Sequence, residues 1–319
     1  MNLEQLSSEL RRIETEVSRA LVGQESLVEH VLVGLVARGH VLIEGVPGLG
    51  KTLLVRALAR VLGLSFRRIQ FTPDLMPSDI TGSTLYSQKL GEFSFVPGPV
   101  FTELLLADEV NRAPAKTQSA LLEAMQERSV TTDGITRPLA DPFLVLATQN
   151  PIESQGTYPL PEAQLDRFLL KLEVGHPSQA AEAQILHNYV AGFDPGELSH
   201  LTQISSQAAV VAMQRALGDI RIAREIIDYV TDIVRRTRTH PSVSLGASPR
   251  ASIGLLNVAR AHALWEGRDF VIPDDVKSYA HAVLRHRLQL QPDAELEGIT
   301  ADHCVDAVLR DAVVPKTSA

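Results

Sequence analysis

The chain of 319 residues has one cysteine, Cys304, which excludes an internal disulfide and a cysteine-built metal cluster and fits a reducing, cytoplasmic setting. Cys304 itself reads as a small apolar residue buried in a helix. Long apolar runs are missing as well. No stretch approaches the roughly eighteen residues that mark a membrane span. Residues 1–25 mix Glu9, Arg11, Arg12, Glu14 and Glu16 with apolar positions, unlike the apolar segment of a signal peptide. Positive charge is in deficit. The formal net charge of −8 argues against broad nucleic-acid binding, which depends on basic surface displacing counterions. The cluster Arg235-Arg236-Thr237-Arg238 is an exception that reads best as a solvated helix face. Internal repeats and low-complexity tracts are absent too.

What is present can bury a large core: 45% of residues are hydrophobic, as in a globular chain of one large or two modest domains. The chain is organised around Gly45-Val46-Pro47-Gly48-Leu49-Gly50-Lys51-Thr52, which follows the apolar run Val41-Leu42-Ile43 and opens an apolar-periodic segment, 53–62. Strand, glycine loop and helix in that order form the context in which G-x-x-x-x-G-K-[ST] binds phosphate. Glycines let successive backbone N–H groups converge, the helix N-terminus adds partial positive charge, and Lys51 adds a full one. Thr52 places a hydroxyl where a phosphate-bridging Mg²⁺ would sit.

Around this loop the apolar runs 41–43, 65–71, 104–109, 143–150 and 168–174 read as five strands alternating with helices. That pattern predicts an α/β fold, a doubly wound parallel sheet with its chemistry at the strand C-termini. Two helices, 3–22 and 27–37, precede it. A hairpin is expected within 84–96, with Gly91 at its turn, and another within 129–138 around Asp133-Gly134. Beyond 175 the helical runs 178–189, 206–217, 223–237, 249–265 and 273–288 show no clear strand between them. The expected division is a nucleotide-binding core, 1–175, and an all-α lid, 176–319.

Hydrolysis needs a Mg²⁺ anchor, a group to activate water and positive charge on the transferring phosphoryl. Asp108 ends an apolar strand and would hold Mg²⁺ with Thr52, partly through water; Glu109 follows it and could polarise the attacking water. Asn150, at another strand end, could orient that water. Arg167 precedes the last strand, away from the chain's own nucleotide, so it is expected to act on a neighbour's. Arg250, opening a helix of the second domain, would approach the phosphates if that domain closes as a lid.

Together with the runs Leu105 to Pro114, Gln118 to Glu127, Ala147 to Pro151, Leu160 to Phe168 and Gly246 to Ala251, these motifs make the chain resemble the MoxR family of AAA+ ATPases over nearly its whole length. The resemblance implies that Gly45 to Thr52, with Leu53 behind it, is Walker A, and that Asp108-Glu109 is Walker B. It implies that Asn150 is sensor 1, Arg167 a trans arginine finger and Arg250 sensor 2, acting in cis or in trans. Val22-Gly23-Gln24 then lies against adenine, the first hairpin is a helix-2 insert, the second a pre-sensor-1 insert, and Arg112 a second interface arginine.

It further implies ATP and Mg²⁺, a homo-oligomeric ring, most often hexameric, a protein client to be remodelled, and a von Willebrand factor A-domain partner. Two other classes stay open: a DNA-acting ring motor and a nucleotide-gated binding module with little turnover. Against the first stand the acidic balance and hairpins whose basic residues are essentially Lys89 and Arg137; against the second stand Glu109 and Asn150.

Overall fold

The computed structural model describes residues 2–46, 48–88, 91–150, 157–194 and 196–315. Its centre is a five-stranded sheet built from Val41–Glu44, Phe66–Gln70, Leu104–Asp108, Leu144–Gln149 and Leu170–Glu173. Every pairing is parallel. Across the sheet the second strand lies at one edge, followed by the third, fourth, first and fifth. The doubly wound parallel sheet expected from the sequence is thus present.

Both faces of this sheet are covered, which is why its strands read as continuous apolar runs rather than alternating ones. The alternation is nevertheless there in space. Val41, Ile43, Leu104, Leu106, Leu144, Leu146, Leu170 and Leu172 face one core, shared with helices Leu3–Ser18, Glu25–Val36 and Lys51–Leu62. Leu42, Leu105, Ala107, Val145 and Ala147 face the other, which takes Leu121, Leu122 and Met125 of helix Ala115–Glu127.

The first core continues without a break into the C-terminal helices. Leu6, Leu10, Ile13 and Val17, on one stripe of the first helix, belong to the same cluster as Ala251, Leu255, Val258 and Trp265 of helix Pro249–Trp265. Polar links reinforce the junction: the Ser7 hydroxyl donates to Trp265 O at 2.7 Å, and the Tyr279 hydroxyl to Glu29 at 2.6 Å. Cys304 is buried in helix Ala301–Asp311. The arginine-rich segment lies at the end of helix Arg224–Thr239, where Arg236 pairs with Asp232 and Arg238 Nε donates to Ala247 O. Among the described residues no helix is long and apolar enough to cross a membrane.

Both expected hairpins form, Gly82–Ser87 with Glu92–Pro97, and Ser129–Thr132 with Ile135–Pro138. They meet where the Arg137 guanidinium sits 3.9 Å from the centre of the Phe95 ring. The C-terminal region is the helical lid expected, with one small addition: Val243–Leu245 pairs antiparallel with Gln289–Leu290. Strands of three and two residues are too short for alternation to register in the sequence.

His40 makes the core sensitive to acid. It is buried between strand and helix, where its Nδ1 accepts from Val145 N–H at 3.0 Å and its Nε2 lies 3.1 Å from Met125 O. Burial, with Arg128 nearby, pushes its pKa down to about 3, against which the Met125 bond works only weakly. The folded chain therefore keeps His40 neutral while the unfolded chain protonates it near 6.5. Its contribution to stability is complete above about pH 6.5 and is lost progressively as pH falls toward 3. The expected result is a loss of about 1.4 kcal/mol per pH unit from this group below pH 6.5. Urea unfolding at pH 7.5, 6.0 and 5.0 measures it, and His40→Gln should flatten the dependence by that slope.

Candidate active site

The loop after strand Val41–Glu44 is shaped by two kinds of glycine. Gly48 and Gly50 take φ of +86° and +76°, in the left-handed region that side chains resist. Gly45 serves close approach, since a Cβ there would come within 2.6 Å of Val174 O at the end of the neighbouring strand. Helix Lys51–Leu62 starts directly at the loop, so its unpaired N–H groups open toward the cleft. Lys51 Nζ donates to Gly45 O, folding the lysine back across the loop. Burial lowers the Lys51 pKa, while Asp108, Glu109 and Glu44 pull it back upward.

The acids arrive on the adjacent strands. Asp108 ends its strand in register with Gln70 of the edge strand, and Ala107 lies opposite Ala147, one position before Thr148. Thr148 then serves both acids: its hydroxyl donates to Asp108 Oδ1 at 2.5 Å and accepts from Glu109 N–H at 2.9 Å. Glu109 adopts φ 56° and ψ 52°, left-handed for a residue with a side chain, a conformation that costs about 1–2 kcal/mol. That bend turns the chain out of the strand at the point where the two carboxylates must diverge.

Each acid is also held from the edge strand. Arg68 donates to Asp108 Oδ2 at 2.7 Å, and Gln70 to Glu109 Oε2 at 2.6 Å. Arg68 and Gln70 are two apart on one strand and so share a face. Arg112 adds a third contact, its Nη1 standing 3.0 Å from Glu109 Oε2.

A cleft of about 1250 Å³ runs past these groups. Its far wall is apolar, built from Leu21 and Val22 on one side and Ile185, Leu186 and Tyr189 of helix Gln179–Val190 on the other. That helix buries only Ala181, which leaves Leu186 64% and Tyr189 71% exposed toward and around the cleft. Gln24 ties this wall to the phosphate loop by donating to Leu49 O at 3.1 Å.

Of the residues singled out from sequence, Val22, Gln24, Gly45, Gly48, Leu49, Gly50, Lys51, Thr52, Leu53, Asp108, Glu109 and Asn150 all line this cleft. Val46 and Gly23 do not. Gly23, at φ +74°, lies behind the wall, where a Cβ would stand 2.6 Å from Ala181 Cβ and push the helix away. Pro47 lies outside the described residues. Arg167 and Arg250 are also not on the cleft lining. Arg250 stands instead beside Asp166, the residue before Arg167, with its Nη1 3.8 Å from Asp166 Oδ2.

Sequence reasoning missed Arg68, Gln70 and Thr148. Thr148 stood inside a motif already marked for Asn150, and a hydroxyl one strand over from Walker B was the available signal. Arg68 and Gln70 had none, because only the pairing of their strand with Leu104–Asp108 brings them to the acids.

The residues fit a nucleotide triphosphate with Mg²⁺. A concave loop of glycines, a helix N-terminus and a lysine face an apolar slot large enough for a base. Among the described residues no cluster of three or more His, Cys, Asp or Glu could hold a metal by itself. A Mg²⁺ here would be held by Thr52 and Asp108 only in part, with phosphate oxygens and waters completing its shell.

Comparison with known proteins agrees with this geometry. Residues 40–170 match the model of the ATPase family associated with various cellular activities (AAA), and residues 235–308 match an AAA lid domain. The chain is 48% identical to the chaperone MoxR1 of Mycobacterium tuberculosis, over 99% of this chain and 86% of that protein. It is 33% identical to the protein MoxR of Methylorubrum extorquens, over 89% of each. A crystal structure of a candidate ATPase from Cytophaga hutchinsonii superposes with a TM-score of 0.91 at 41% identity, covering 98% of this chain and 97% of that one. On sheet order, phosphate loop and these matches over both core and lid, the chain belongs to the MoxR family of AAA+ ATPases.

Proposed function

We propose that this chain hydrolyses ATP in a ring of its own copies, with each cleft completed by Arg167 and Arg250 of the next copy. The observation that carries the reading is a division of labour. Lys51, Thr52, Asp108, Glu109 and Asn150 converge on one cleft, while the two arginines lie outside its lining. Phosphoryl transfer needs cationic charge on the transition state, and an arginine finger supplies about 10³–10⁵-fold in well-studied cases.

Within the cleft, Lys51 and the loop N–H groups bind the phosphates, and the apolar wall takes the base. Thr52 and Asp108 would hold Mg²⁺, which offsets phosphate charge. Glu109 accepts the proton of the attacking water, and Asn150 orients that water. Gln70 and Arg112 contact Glu109, so hydrolysis requires the carboxylate to leave or share those partners. The ring, a hexamer by family resemblance, would use this cycle to remodel a protein client, alongside a partner bearing a von Willebrand factor A domain.

A mixture of two inactive variants tests the reading. Arg167→Ala subunits keep an intact cleft, and Lys51→Ala subunits keep intact arginines. Mixed in equal amounts they should regain steady-state ATPase, because about a quarter of head-to-tail interfaces then pair a good cleft with good arginines. A mixture as inactive as its components would refute action between copies.

A further inference from the structure

Arg287 is far from Arg167 in sequence and packed against its segment in space. It ends the short turn Arg285–Arg287 after helix Pro273–Leu284, with its side chain only 4% exposed. A guanidinium has five N–H donors, and here all are used. Nε donates to Asp166 Oδ1 at 2.7 Å. Nη1 donates to the carbonyls of Leu169, at 3.3 Å, and Val283. Nη2 donates to the carbonyls of Phe168, at 2.7 Å, and Asp166, at 3.4 Å. Three of these carbonyls belong to Asp166, Phe168 and Leu169, the residues that bracket Arg167.

The other oxygen of Asp166 reaches a third segment. Oδ2 accepts from the Ser248 hydroxyl at 3.2 Å and lies 3.8 Å from Arg250 Nη1. Ser248 caps the helix that carries Arg250, accepting from the Arg250 N–H at 3.2 Å. One carboxylate therefore joins the approach to the last strand, the turn after helix Pro273–Leu284 and the start of helix Pro249–Trp265. Arg167 itself makes no ion pair or side-chain hydrogen bond among the described residues, so its placement depends on the backbone that Arg287 grips.

We propose that Arg287, acting through Asp166, is the positioning residue that locks Arg167 and Arg250 into one block, so that both reach the neighbouring copy's cleft together. The inference rests on the reading that these arginines act between copies. A catalytic group displaced by about 1 Å can lose about 10²-fold in rate, which gives such a lock its value. Lysine cannot replace Arg287, because a point charge with three donors does not reproduce a five-donor planar fork.

Two variants test this. Arg287→Lys keeps the charge and loses the fork. Asp166→Asn keeps the shape and an acceptor for Arg287 Nε, but removes the charge facing Arg250. Each should lower kcat by about tenfold or more while the Kd for ATP stays within about twofold, since neither residue lines the cleft. Each should also regain turnover when mixed with Lys51→Ala subunits, as Arg167→Ala does. That recovery separates lost positioning from damage to the variant's own cleft.

Wild-type kcat in both variants overturns the proposal. So does a loss that Lys51→Ala subunits fail to restore while they do restore Arg167→Ala. If Arg167→Ala itself is not restored, the reading of action between copies fails first and this inference falls with it. Should circular dichroism show Arg287→Lys unfolded, Asp166→Asn carries the same readings alone.

Discussion

Replacing Glu109 with glutamine should slow ATP turnover by about 10²–10⁴-fold and leave ATP affinity within about twofold. Glutamine has the same shape and keeps an oxygen, but it cannot take a proton from water at neutral pH. The left-handed backbone at Glu109 and its N–H bond to Thr148 are main-chain features that the substitution leaves in place. Asp108 also keeps its two holders, Thr148 and Arg68. Single-turnover hydrolysis and equilibrium binding of a labelled nucleotide separate the two effects. Normal turnover in the variant would remove Glu109 from the role of base. If the expectation holds, the same variant becomes a tool: arrested with ATP, it should retain the client and any von Willebrand factor A-domain partner through affinity purification.

That prediction depends on residues of two kinds, and they were not equally legible in the sequence. Gly45 to Thr52 and Asp108-Glu109 are local signals. A glycine loop between strand and helix, or two acids closing four apolar residues, needs no knowledge of what packs alongside. The strands were legible for a related physical reason: burial on both faces writes each as one apolar run that ends abruptly in polar residues. Asn150 became visible in that way, as the residue after strand Leu144–Gln149.

The supporting residues were set by pairing instead. Gln70 meets Glu109, and Arg68 meets Asp108, only because Phe66–Gln70 and Leu104–Asp108 are neighbours in register. A slip of one residue would turn both side chains to the other face. Arg287 is the extreme case, since its partners at Asp166 to Leu169 lie across the whole C-terminal region of the chain. The placement of Arg250 was equally hidden. A helix-opening arginine in a second domain could close over the chain's own phosphates or face outward, and the contact with Asp166 puts it beside the Arg167 segment.

Lys51→Ala should weaken ATP binding by about 10²-fold or more, and hydrolysis should vanish at ordinary nucleotide concentrations. Two effects add in one direction. The first is direct loss of a charge-assisted bond to phosphate, worth about 1.5–3 kcal/mol. The second comes from what the lysine now neutralises. Asp108, Glu109 and Glu44 all act on the Lys51 ammonium, which is partly buried against Gly45 O. Without it, the three acids keep Arg68, Arg112 and Lys171 as paired cations, but none of those three stands on the phosphate loop. The cleft becomes more negative where a triphosphate must enter. Low salt should then widen the gap between variant and wild type, because repulsion between the triphosphate and partly exposed acids is screened by salt. Titration calorimetry at two ionic strengths reads both effects. Unchanged ATP affinity would sink the phosphate-loop assignment, and a gap indifferent to salt would leave the lost phosphate bond as the whole effect.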